Sequence, residues 1–144
     1  MKLLSSPASP FVRKVMITLH ETDQLNDVEV VPVHNTPMGP DATVATANPI
    51  GKIPALIRED GPALYDSRVI CRFLDDRAKG GLYPESRLWD VLTLEATADG
   101  ILEAALLMVY EGRLRPEAQQ STDWVEAQWV KVDRALTAVN TLWM

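Results

Sequence analysis

Cysteine is almost missing from this chain: Cys71 is the only one among 144 residues. A single thiol rules out an internal disulfide. With only two histidines, His20 and His34, standing apart without ligand spacing, it also argues against a zinc centre. No stretch of about 18 uninterrupted apolar residues exists, so a membrane-spanning helix is not expected. The N-terminal Met-Lys-Leu-Leu-Ser-Ser-Pro lacks the long apolar segment and cleavage site of an export signal, which makes the cytoplasm the expected compartment. Basic residues are also few, 14 Lys and Arg against 20 Asp and Glu, for a formal net charge of −6. The deficit is concentrated late in the chain. Residues 1–80 hold 9 basic and 10 acidic side chains, whereas residues 81–144 hold 5 and 10. Phosphate backbones require a basic surface, so nucleic acid is not an expected partner.

Apolar residues, in contrast, are plentiful at 47% of the chain, with 24% charged. That is enough to bury a core in one ordinary domain, or in one small domain plus part of a second, and it argues against disorder. Composition shifts at Gly80-Gly81-Leu82-Tyr83-Pro84-Glu85-Ser86, and all four tryptophans, Trp89, Trp124, Trp129 and Trp143, follow it. The expected organisation is therefore residues 1–79, a linker at 80–85, and a second region at 86–144.

In the first region, Lys2 to Ser5 reads as a strand. Ser9 reads as the N-cap, and Pro10 as the first residue, of a helix whose apolar stripe is Val12, Val15, Met16 and Leu19. Val28 to Val33 reads as a second strand that Pro32 ends or places at an edge, and a short helix is expected over Ala42 to Ala47. Two further strands, Ile53 to Ile57 and Pro62 to Tyr65, flank Glu59-Asp60-Gly61 as a hairpin. Asp66-Ser67 then caps a helix with Val69, Ile70, Phe73 and Leu74 on its apolar face. Strand, helix, strand, short helix, hairpin, helix is the order of an α/β thioredoxin-like domain. The second region reads as all-α. One helical pattern runs from Ser86 to about Arg115, ended by Pro116. A second helix starts at Ser121-Thr122-Asp123 and carries an apolar seam of Val125, Trp129, Val132, Leu136, Val139 and Trp143. Two such helices leave apolar surface unpaired, which suggests a partial bundle, truncated or completed by an oligomer partner.

Four segments resemble the glutathione S-transferases, in particular bacterial members with a serine at the start of the first helix: residues 9–15, Ser-Pro-Phe-Val-Arg-Lys-Val; residues 48–56, Asn-Pro-Ile-Gly-Lys-Ile-Pro-Ala-Leu; residues 65–70, Tyr-Asp-Ser-Arg-Val-Ile; and residues 98–101, Ala-Asp-Gly-Ile. The resemblance covers the whole chain, and the 48–56 segment is the most specific. Members of the family are usually about half as long again, so the helical domain is expected to be incomplete.

The resemblance implies a site for glutathione, whose thiol lies between a γ-glutamyl end and a glycyl carboxylate. Ser9, at a helix N-terminus, would donate a hydrogen bond to the glutathione sulfur and favour the thiolate. It would not be a nucleophile itself, and capping its helix is its plainer role. Ser5 and Ser6 are rivals for the same task. Phe11 falls in the same motif. Ile53 would pair its backbone with the cysteinyl part, ahead of a cis Pro54. Lys52 and His34 could face the glycyl carboxylate, although both also suit a solvated surface. Asp66 would answer the γ-glutamyl ammonium and Ser67, at a helix N-cap, its carboxylate. Asp99 matches an acidic residue that in many members reaches the partner's glutathione across a dimer; a solvent-facing helix position is the plainer reading. Leu106, Met108, Val109 and Tyr110 are candidates for the wall of an electrophile pocket, or simply for helix packing.

The first tyrosine is Tyr65 and no cysteine precedes Cys71, which excludes the tyrosine-dependent members and glutaredoxin-like disulfide chemistry as templates. Cys71 itself reads as a buried, inert thiol. The expected function is a cytoplasmic, homodimeric glutathione transferase with glutathione as co-substrate, no metal, and a small apolar electrophile or peroxide as second substrate. The alternative is a catalytically silent binding or regulatory module.

Overall fold

The computed structural model describes residues 1–143, and its internal contacts separate two units, Met1–Pro84 and Glu85–Met144. The first unit runs β1 (Lys2–Ser5), α1 (Pro10–Glu21), β2 (Glu29–Pro32), α2 (Ala42–Ala47), β3 (Ala55–Ile57) and α3 (Ser67–Ala78). β1 is central in a three-stranded sheet ordered β2-β1-β3, parallel to β2 and antiparallel to β3. Alternation along β1 divides the core. Leu3 points to the face covered by α1 and α3, where Val15, Leu19, Leu56, Ile70, Cys71 and Leu74 are buried around it. Leu4 points to the opposite face, against Ala55 and Val44 of α2. This is the α/β thioredoxin-like arrangement, and a helical unit follows it.

Local chemistry explains the boundaries. The Ser9 hydroxyl accepts the Val12 N–H at 3.3 Å, and Pro10 occupies the first turn of α1, where no donor is needed. The Asp41 carboxylate caps α2 by accepting from the amides of Thr43 and Val44. At α3 the cap is Asp66, whose carboxylate accepts the Arg68 N–H at 3.1 Å. Ser67 is thus the first helical residue and not the cap that its hydroxyl suggested.

Two expectations for this unit need correction. The hairpin is reduced to one bridge, with Leu56 and Leu64 exchanging both hydrogen bonds at 2.9 Å. Pro62 has no N–H for a ladder, and the Arg58 guanidinium reaches back to the Pro62 carbonyl at 3.0 Å, closing the turn through a side chain instead. On α3, Val69 is 46% exposed, and Cys71 takes its place in the core. The 3.6-residue period puts positions 67, 70, 71 and 74 on one face.

The segment expected as a linker is tied down at its start. Asp75 is buried, and its carboxylate accepts the N–H groups of Leu82 at 2.8 Å and Tyr83 at 3.2 Å, while its carbonyl accepts from Gly80. Nearby, buried Gln24 joins the ends of α1 and α3: its amide donates to the Leu74 carbonyl at 2.8 Å, and its oxygen accepts from Arg77.

The second unit is a pair of packed helices, α4 (Leu88–Leu114) and α5 (Thr122–Leu142). Buried Glu111 fastens the turn between them, with Arg115 Nε at 2.9 Å and the Ser121 N–H, at the start of α5, also at 2.9 Å. These two donors, Arg115 first, hold the Glu111 carboxyl below the ordinary glutamate value of 4.5. The expected seam on α5 is rotated. Gln128 and Val132 are its buried residues, with Val125, Ala135 and Val139 half-buried, whereas Trp129 and Leu136 are 48% and 49% exposed. Among the described residues no helix is long and apolar enough to cross a membrane.

Candidate functional site

The register of the first unit gathers most of the candidate residues at one end of the sheet. β1 leaves the sheet at Ser5 and reaches α1 through a four-residue turn, closed by the Ser9 N–H donating to the Ser6 carbonyl at 3.0 Å. Ser5 is opposite Pro32 in β2, and its carbonyl accepts from Val33, so His34 leaves the sheet at this same end. On the other side Leu4 pairs with Ala55, which brings Ile53 and Pro54 alongside Ser5. The chain returning through Leu64 runs antiparallel to β3 and delivers Tyr65, Asp66 and Ser67 to the same end. Both 12-residue helices, α1 and α3, therefore begin there. Their unpaired N–H groups and dipoles give that end a partial positive character suited to anionic groups.

The individual positions differ in exposure. Ser9 and Phe11 are half-buried, Ser67 is buried at 2% exposure, and Asp66, Lys52 and His34 are exposed. Ser5 is buried inside β1, Ser6 is half-buried in the turn, and Ser9 is the N-cap of α1. The Ile53–Pro54 peptide is cis, as the resemblance implied, and so is the bond between Tyr65 and Asp66. Ile53 is half-buried, and among the described residues neither its N–H nor its carbonyl pairs with another backbone group. Asp99 lies in the other unit, on α4, and is only 1% exposed, contrary to a solvent-facing position. Of the candidate pocket residues on α4, Leu106, Met108 and Tyr110 are half-buried and Val109 is 41% exposed. Two surface clefts, one along α2 and one beside Arg58 and Arg77, are lined by none of the candidate residues.

Sequence reasoning missed the residues that shape the loop before Pro54. Asn48 is buried at 2% exposure, its amide donating to the Lys52 carbonyl at 2.8 Å while its oxygen accepts from Ile50 at 3.0 Å. Gly51 adopts φ +68°, a left-handed conformation that favours glycine. From the loop after β2, Asn35 donates to the Gly51 carbonyl at 3.0 Å and accepts the Asp41 N–H at 2.9 Å. An Asn followed by Pro and Gly was the available signal for Asn48. Nothing in the local sequence around Asn35 marks it.

Known proteins share this architecture. A family model described as the glutathione S-transferase N-terminal domain matches residues 8–77. The chain is 37% identical over 143 residues to the uncharacterized GST-like protein YibF of Escherichia coli K12, covering 97% of this chain and 68% of that one. A glutathione transferase family member from Pseudomonas fluorescens Pf-5, crystallised with bound glutathione, superposes with a TM-score of 0.94 at 45% identity, over 98% of this chain and 70% of its own. A glutathione S-transferase from Methylobacillus flagellatus KT with glutathione bound gives a TM-score of 0.83 at 41% identity, covering 97% and 68%.

Proposed function

The chain belongs to the glutathione S-transferase family, and from that premise we propose that it binds glutathione at the Ser9 end of the sheet and activates its thiol for attack on a small apolar electrophile or peroxide. The observation that carries this reading is the convergence of two helix N-termini, the Ser9 and Ser67 hydroxyls and the unpaired backbone groups of Ile53 at that end. Ile53 holds the cysteinyl backbone. Asp66, Ser67 and the start of α3 receive the γ-glutamyl ammonium and carboxylate, and Lys52, with His34, faces the glycyl carboxylate. Phe11 packs beside the thiol. Ser9 accepts from Val12 and so keeps its own proton to donate. A donor aimed at sulfur at a helix N-terminus stabilises the thiolate, and lowering a thiol pKa from about 8.5 by one unit corresponds to about 1.4 kcal/mol. The thiol proton leaves to solvent, the sulfur lone pair forms the new bond to the electrophile, and the electrophile's leaving group or reduced oxygen takes the displaced pair.

The full reading is a cytoplasmic homodimer to which Asp99 contributes, with residues 1–79 forming the glutathione domain, 80–85 a linker and 86–144 a helical domain. Support for glutathione as ligand comes from the two bacterial relatives crystallised with it. Calorimetry on this chain is the test. Glutathione is expected to bind in the micromolar to millimolar range, about tenfold more weakly after Ser67→Ala through loss of one hydrogen bond to a charged group. A folded chain that gives no heat with glutathione sinks the assignment. Ser9→Ala is expected to raise the pKa of the bound thiol by about one unit while binding persists. An unchanged thiol pKa would favour a silent binding module.

A further inference from the structure

We propose that Asn35 is a positioning residue for glutathione, acting through the loop that carries Lys52 and Ile53. The inference rests on the glutathione reading above. Its neighbour His34 is the residue whose chemistry draws attention, yet His34 is exposed while Asn35 is the side chain that makes contacts. Asn35 bridges three separate stretches of chain. It leaves the sheet just after β2, its oxygen accepts the Asp41 N–H at 2.9 Å at the cap of α2, and its amide donates to the Gly51 carbonyl at 3.0 Å.

The loop it touches is otherwise held from within. Asn48 binds Ile50 and Lys52, and the Gly51 N–H donates to the Asn48 carbonyl at 2.8 Å. Those bonds set the shape of the turn. The Asn35 bond to Gly51 sets its place against the strand that follows β1, because Asn35 is anchored by β2 and the Gly51 carbonyl lies two residues before Ile53. Displacing that carbonyl displaces the backbone N–H and C=O of Ile53. Ser9 and the start of α1 are held by their own bonds, through Ser6 and Val12, and are independent of Asn35. Asn35 therefore governs how well the cysteinyl and glycyl parts are held, and leaves thiol ionisation alone.

Asn35→Asp isolates this role. The variant keeps an acceptor for Asp41 and replaces the donor facing Gly51 with a second acceptor. Glutathione titration by calorimetry is expected to show a dissociation constant raised about tenfold. The thiol pKa of bound glutathione, followed by thiolate absorbance at saturation, is expected to match the wild type. Hydrogen exchange without ligand should quicken at residues 50–53 and stay unchanged in α1 and α3. Should Asn35→Asp fail to fold, Asn35→Ala removes the donor without adding repulsion and is expected to shift affinity in the same direction. Wild-type binding with unaltered affinity in a folded variant overturns this inference alone, as does a thiol pKa that moves with affinity. No binding by the wild-type chain overturns the glutathione reading and this inference together.

Discussion

Single residues show how closely the first unit is fitted at the end of α3. A Cβ at Gly80 would stand 2.8 Å from the Asp75 carboxylate and 2.8 Å from the Thr22 methyl, and both side chains are held by hydrogen bonds of their own, Asp75 to the Leu82 and Tyr83 amides and Thr22 to the Thr18 carbonyl and Gln24. Gly80→Ala is expected to destabilise the protein by about 1–3 kcal/mol through overpacking, measured as a fall in the urea midpoint at constant slope. Gly100, on exposed α4 surface, has open space around its missing Cβ. Gly100→Ala is expected to have the opposite sign, a gain of about 0.5–1 kcal/mol from helix propensity. Residues at this scale were unevenly legible. Ser9 was legible as a helix cap, because a Ser-Pro before an amphipathic stripe is an N-cap signature. Asn35 and Asp75 did not, because their side-chain partners lie 6 and 16, and 7 and 8, residues away in the chain, and a spacing rule reaches only one turn.

Elements were more readable than residues, with one informative failure on α5. Val125, Val132 and Val139 sit on both the expected seam and the observed one. The choice between Trp129 with Leu136 and Gln128 with Ala135 went to the less hydrophobic pair. Periodicity locates a face only to within a residue either side, and large side chains are favoured there by hydropathy alone. The hairpin failed for a related reason: an Asp-Gly pair signals a turn but cannot say how many ladder bonds follow it. The α4–α5 turn carries its own pH response. Glu111 is held below its ordinary value, so its ionised form is favoured by folding. The stability it supplies is fully present above about 4.5 and is lost as pH falls through its lowered folded value. Calorimetric unfolding is expected to show a lower thermal midpoint for the wild type below that pH, and a smaller acid-induced drop in Glu111→Gln. Equal drops in both proteins would remove Glu111 from the account.

For the whole chain, net charge and exposed apolar surface act against each other. Most of the −6 lies after residue 80. The second unit also exposes Trp89, Trp124, Trp129, Val130 and Leu136. Repulsion keeps such surfaces apart at low ionic strength, and salt screens it over a Debye length of about 8 Å at 0.15 M. Sedimentation is expected to show association that strengthens with added sodium chloride and weakens in Leu136→Lys; association independent of both would assign it to another surface. The fold class was legible at this scale because the order of elements allows few topologies. The partition into two units has an optical consequence. All four tryptophans belong to the second unit, and the residues assigned to glutathione, Asp99 apart, belong to the first. The native protein thus carries its fluorophores in one unit and most of the proposed glutathione residues in the other. In an Asp99→Ala variant, whose remaining assigned residues all lie in the first unit, a change in indole emission during a glutathione titration is the expected label-free sign that the ligand is felt in the second unit.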